Sequence, residues 1–181
     1  MAKQKVNPKS LNRQISIDAY NYAYQTRNLE IKLFWQRSNY FLVLNTAIAT
    51  GIILQGIKPN IVSLFLSIFG VLVAALWYGV NLGSKFWQTR WEFKLGQIEA
   101  NISPDVRLFN TTRDETIDNV ATDLERNPHR SKLRIAIDNG ILTKPSVSRN
   151  MIWLSLLFAS FYTIIILYSI IVLCVCNCYA G

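Results

Sequence analysis

Three long stretches of this chain, residues 40–57, 61–82 and 151–176, contain no Asp, Glu, Lys, Arg or His. They run to 18, 22 and 26 residues. A helix rises about 1.5 Å per residue and the hydrocarbon core of a bilayer is about 30 Å thick, so each can cross, the last with tilt to spare. At 51% hydrophobic residues and a mean hydropathy of +0.20, the chain also has too few polar side chains to coat a soluble sphere. The expectation is an all-α membrane protein with three transmembrane helices, an antiparallel hairpin followed by a C-terminal span, and a helical cytoplasmic region between them. No secretory signal is expected, because 39 mostly polar residues precede the first apolar run.

The positive residues set the orientation. Residues 1–38 carry seven, residues 85–150 carry eleven, the connector has Lys58 and the tail has none. Short basic segments resist translocation, which puts the amino terminus and residues 85–150 on the cytoplasmic side, with Lys58-Pro59-Asn60 turning outside. Three spans then leave Gly181 outside. The resulting divisions are 1–38, a basic segment and helix; 39–84, the transmembrane hairpin; 85–150, the cytoplasmic helical region; 151–176, the last span; and 177–181, a tail. A net charge of +8 invites nucleic acid as a partner, but the bases flank apolar runs and residues 85–150 offset eleven bases with nine acids. The partner read from this pattern is the lipid bilayer, not nucleic acid.

Along the chain, Ser16 suits a helix cap, and Tyr20, Tyr24, Ile31, Phe34 and Trp35 recur at helical spacing into the first run with no Gly or Pro between them. One long helix is expected to enter the membrane. Trp35, Tyr40, Trp77, Tyr78, Trp87 and Trp91 are candidate interface residues, since an amphipathic ring keeps its body in lipid and its polar edge wet. The short turn at Gly56-Ile57-Lys58-Pro59-Asn60 forces the first two spans to be antiparallel neighbours. In lipid, small residues that let backbones approach, together with interhelical hydrogen bonds, drive packing. On that ground Ala47 and Gly51 of the first span, and Ala75, Gly79, Asn81 and Gly83 of the second, are candidate packing residues, within one subunit or between two.

The second helix continues past Gly83 with Trp87, Trp91, Leu95 and Ile98 on one face, and packing against protein is preferred there to lying on headgroups. Ser103-Pro104-Asp105 should interrupt it. Thr112 and Glu115 form a capping box ahead of Ile117, Val120, Ala121 and Leu124, with Asn127-Pro128 as the stop. Residues 131–142 fit either an alternating strand turned at Asn139-Gly140 or a helix closed by Gly140 in the left-handed region; the helix is preferred, because no other strand candidate exists. Pro145 opens the third span.

Catalytic patterns are absent from the sequence. His129, the single histidine, stands beside Arg130 on a polar stretch, and the carboxylates of the central region are spent on caps or interleaved with bases. Cys174, Cys176 and Cys178 lack a fourth ligand, so they read as terminal thiols that end a span or cross-link subunits, not a metal site. No enzyme activity, cofactor or metal is expected.

The wording of three segments carries a resemblance: Leu33-Phe34-Trp35-Gln36-Arg37-Ser38-Asn39-Tyr40 entering the first span, Trp77-Tyr78-Gly79-Val80-Asn81-Leu82-Gly83-Ser84-Lys85-Phe86-Trp87-Gln88 leaving the second, and Lys144-Pro145-Ser146-Val147-Ser148 before the third. In these the chain resembles the RipA family of small octameric bacterial inner-membrane proteins, named for a requirement in intracellular proliferation. The resemblance implies an octameric assembly and a role in growth inside a host, and it carries no catalytic motif. Two functional readings follow: a homo-oligomeric membrane scaffold or pore-like assembly, or a membrane-anchored regulatory adaptor whose cytoplasmic region binds a protein partner.

Overall fold

The computed structural model describes residues 8–57, 59–102, 107–125, 131–143 and 146–179. Within these described residues five helices follow one another: α1 (Pro8–Leu54), α2 (Ile61–Ile102), α3 (Arg113–Glu125), α4 (Lys132–Leu142) and α5 (Val147–Tyr179). Two are long and apolar enough to cross a membrane, α2 over Ile61–Ile102 and α5 over Val147–Val175. In α1 the apolar run is helical only as far as Leu54, where the chain turns.

The chain divides into two compact units. One comprises Met1–Ile31 and Phe86–Ser146, the other Lys32–Lys85 and Val147–Gly181, so α1 and α2 each contribute to both. The helix between residues 132 and 142 settles the choice left open between strand and helix, but its end differs from expectation. Gly140 lies within α4, and the cap is Thr143 in right-handed geometry (φ −66°). The Thr143 N–H donates to Asn139 O at 3.2 Å and its hydroxyl to Gly140 O at 2.6 Å. Those two bonds satisfy the last carbonyls, which removes the need for a left-handed glycine. At the start of α4, Ser131 Oγ accepts from Arg134 N.

Other ends follow local chemistry. α1 starts at Pro8, ahead of the expected Ser16, which is consistent with proline's fitness for a first turn where no N–H bond is required. α1 closes with Gly56 N donating to Ile53 O (2.8 Å) and Ile57 N to Ile52 O (3.4 Å), the paired bonds of a left-handed helix stop. Gly56 adopts φ 73° at no steric cost, whereas Ile57 adopts φ 52°, a costly conformation for a β-branched residue. Asn60 Oδ1 then accepts from Ser63 N at 2.7 Å and caps α2. The Thr112–Glu115 box forms as expected, Glu115 N donating to Thr112 Oγ1 (3.2 Å) and Thr112 N to Glu115 Oε2 (2.9 Å). The expected breaks at Ser103-Pro104-Asp105, Asn127-Pro128 and Pro145, with His129, lie outside the described residues.

Candidate functional site: a polar seam inside an apolar unit

In the unit formed by Lys32–Lys85 and Val147 onward, α2 buries Ser63, Ser67, Gly70, Ala74, Trp77, Asn81 and Ser84 along one line, with Val73 buried beside it. Spacing along the line alternates four and three, the seam of a left-handed helix bundle. α5 buries Ser148, Ser155, Tyr162 and Ser169 at steps of seven, and α1 buries Phe34, Ser38, Asn45, Ile48 and Ile52. Serine, glycine and alanine dominate the α2 seam, so helix backbones can come close, while Phe65, Ile68, Phe69, Leu72 and Leu76 of α2 are exposed.

Asn81 ties three helices through one amide. Ser38 Oγ of α1 donates to its Oδ1 at 3.3 Å, and its Nδ2 donates to Met151 O of α5 at 3.2 Å. Tyr162 forms a second tie, its hydroxyl donating to Asn45 O at 2.7 Å. The Tyr162 ring lies against the backbone of Gly70, where a Cβ would stand 2.7 Å from ring carbons. Only glycine fits at that crossing with the ring in place. The fully buried Trp77 stacks nearly parallel on Phe41 (6.4 Å, 7°) and meets Phe158 at 6.2 Å, beside a core of Ile48, Ile52, Val73 and Ile165.

The other unit is organised around the carboxylate of Glu99, which is buried. Its Oε1 accepts from Leu108 N (2.9 Å) and its Oε2 from Phe109 N (2.8 Å) and Asn110 N (3.2 Å). Three backbone donors converging on one acid hold residues 108–110 against α2. Phe109 is seated by the edge of Tyr20 (6.5 Å), by the Arg27 guanidinium (5.4 Å) and by Gly96, whose Cβ position is 3.1 Å from Phe109 O. Arg27 also pairs with Glu92 at 3.2 Å, joining α1 to α2. Burial, with the Glu99 and Tyr24 charges behind it, pushes the Tyr20 phenol above its ordinary value.

The sequence-predicted residues divide between these seams and the surface. Asn81 is buried and central; Gly51 is half-buried and meets Leu66 across the hairpin at 3.8 Å. Gly79 and Gly83 have nothing within 4 Å of a Cβ position, and Ala47 and Ala75 are exposed, so that stripe faces away from the chain's own helices. Trp77, a candidate boundary residue, is enclosed among Phe41 and Phe158, because it occupies a seam position. Tyr78 and Trp91 are half-buried; Trp35, Tyr40 and Trp87 are exposed. Cys174 is a free, exposed thiol, and the side chains of Cys176 and Cys178 lie outside the described residues. Among the residues described, no group of His, Cys, Asp and Glu side chains is placed to hold a metal ion.

The sequence reading missed Ser63, Ser67, Gly70, Ser155 and Ser169 as packing residues, and Glu99 as an anchor. The signal for the first set is the three-and-four spacing of small residues from Ser63 onward, legible only if serine counts as small. No spacing rule marks Glu99, since its partners are backbone groups.

Long apolar helices with polar groups turned inward and apolar ones outward define a helical bundle suited to lipid rather than water. The model of the octameric membrane protein family (8xMP) matches residues 17–171, and the chain belongs to that family. It is accordingly a self-associating membrane protein. No curated protein and no solved structure matches the chain.

Proposed function

We propose that the protein is a structural subunit of a homo-octameric scaffold or pore-like ring in the bacterial inner membrane, and not an enzyme. Each subunit crosses three times, through residues 40–57, 61–82 and 151–176, with its amino terminus and residues 85–150 in the cytoplasm. The distribution of basic residues supports that orientation. A role in growth inside a host is the part of the reading implied by the RipA resemblance.

One observation carries the assembly reading. The small-residue stripe Ala75, Gly79 and Gly83 is exposed in a chain whose own helices pack through a different seam, which leaves a close-approach surface free for another subunit. The test is particle size and opening by electron microscopy of the detergent-solubilised protein, with ion flux in liposomes. Eight subunits around an axis are expected. A monodisperse monomer at high protein concentration refutes the reading, and an octamer closed on its axis without flux leaves the scaffold and removes the pore. A second reading, an adaptor whose cytoplasmic region binds another protein, draws on the exposed Leu133 and Ile137 of α4. Stoichiometric co-purification of one other protein with the full-length chain is its expected signature.

A further inference from the structure

The contacting pair α3 and α4 is turned inside out for a segment rich in charge. The residue α4 buries is Asp138, while Leu133, Ile137 and Ile141, on one face at steps of four, are 72%, 54% and 46% exposed. That strip ends in an apolar groove of about 190 Å³ lined by Thr116, Ile117, Val120, Ile141 and Leu142, with room for one large side chain. Beside the groove α3 carries five acids against one base, with Asp114 and Asp118 exposed, while α4 adds the exposed bases Lys132 and Arg134. The acids are therefore concentrated on the α3 edge, and the pair Asp114 and Asp118 suits a partner presenting aromatic rings between positive charges.

The same unit presents that partner surface on α2. Phe86 and Phe93 are 62% and 64% exposed, Arg90 lies between them, stacked over Trp87 at 5.1 Å, and Lys94 follows, also exposed. Closed rings are built from head-to-tail contacts between two different surfaces of the same chain. We propose that the octamer is joined in this way: the aromatic and basic face of α2 in one copy seats against the aliphatic strip of α4 and the Asp114–Asp118 edge of α3 in the next. A ring filled on both faces leaves no aliphatic strip of α4 exposed, which accounts for a helix that buries its carboxylate and presents its isoleucines.

This inference rests on the assembly reading above, and full-length parent protein measured alongside keeps the two apart. Asp114→Lys with Asp118→Lys should raise the concentration at which the detergent-solubilised octamer dissociates about tenfold or more, and Arg90→Glu with Lys94→Glu should do the same. The variant carrying all four changes should return close to the parent, because the charges are exchanged across the contact. A photo-reactive amino acid in place of Ile137 should give, in native membranes, a product of twice the subunit mass. An octameric parent whose charge reversals do not loosen it overturns this contact and leaves the assembly standing. So does a four-site variant no tighter than the weaker pair, or a photoproduct with lipid or with a different protein. A parent that is monomeric overturns both.

Discussion

The crossing of α2 and α5 at Gly70 makes the sharpest test of the seam. Replacing Gly70 by Ala puts a methyl carbon 2.7–2.8 Å from three Tyr162 ring carbons, so the ring must retreat by roughly 0.7 Å to reach ordinary contact. It has little room to do so, with Phe161 at 5.4 Å and Phe158 at 6.3 Å. Overpacking of this kind costs about 1–3 kcal/mol. Disturbing the 2.7 Å bond from Tyr162 to Asn45 O adds about 1 kcal/mol. Alanine's better helix propensity offsets about 1 kcal/mol, which leaves a net loss of about 1–3 kcal/mol. Reversible unfolding in mixed micelles, followed by circular dichroism over a denaturing-detergent titration, measures it. In a Tyr162→Leu background the methyl has space, and Gly70→Ala should become neutral or stabilising by up to about 1 kcal/mol. The same destabilisation in both backgrounds, or a stabilised parent, would show that ring and backbone do not meet as described.

Three further outcomes are expected. Glu99→Ala should release residues 108–110, raising amide exchange there roughly thirtyfold for a loss of about 2 kcal/mol, whereas Glu92→Ala, which removes a partly exposed pair, should cost under about 1 kcal/mol; equal effects would deny the carboxylate its anchoring role. Asn81→Leu should lose about 1–2 kcal/mol in the micelle titration, and prior Ser38→Ala should reduce that loss, because both changes break the same bond. The Glu115 carboxyl is held below its ordinary value by the Thr112 N–H first, then by the Thr112 hydroxyl, with Arg107 adding to it. Since its folded value is the lower one, its contribution is complete above about pH 4.3 and fades as acid carries the solution down through the depressed value. The protection of the Thr112 amide, its exchange rate taken relative to the intrinsic rate at each pH, should therefore fall on acidification, and Glu115→Gln should abolish that change; an unchanged protection profile in the variant would count against it.

Much of the helix plan was open to inspection in the residues. Absence of charge over residues 61–82 and 151–176 marks α2 and α5, and the box at Thr112 and Glu115 marks the start of α3, because helix formation and capping are decided by neighbours a few positions away. Ends set by contacts to backbone were harder. The closure of α4 depends on where the Thr143 hydroxyl reaches, and Glu99 anchors residues nine to eleven positions further on. Neither leaves a periodic trace.

The seam was illegible for a different reason. Hydrophobic periodicity locates a buried face by assuming water outside, so it looks for Leu, Ile and Phe turned inward. Around a membrane bundle the solvent is as apolar as the core, and the contrast that survives is size and hydrogen bonding: Ser63, Ser67, Gly70 and Asn81 go in while Phe65, Ile68, Phe69, Leu72 and Leu76 go out. The glycine rule is therefore incomplete on its own. Gly79 and Gly83 satisfy it and sit on the outward face, and Gly70, one helical face away, is the glycine that a Tyr ring requires. When polar and small residues occupy the internal contact so consistently, a second small-residue stripe on the opposite side is a surface with no internal use. In a family of octamers, that is the side to which the proposed assembly assigns the next subunit.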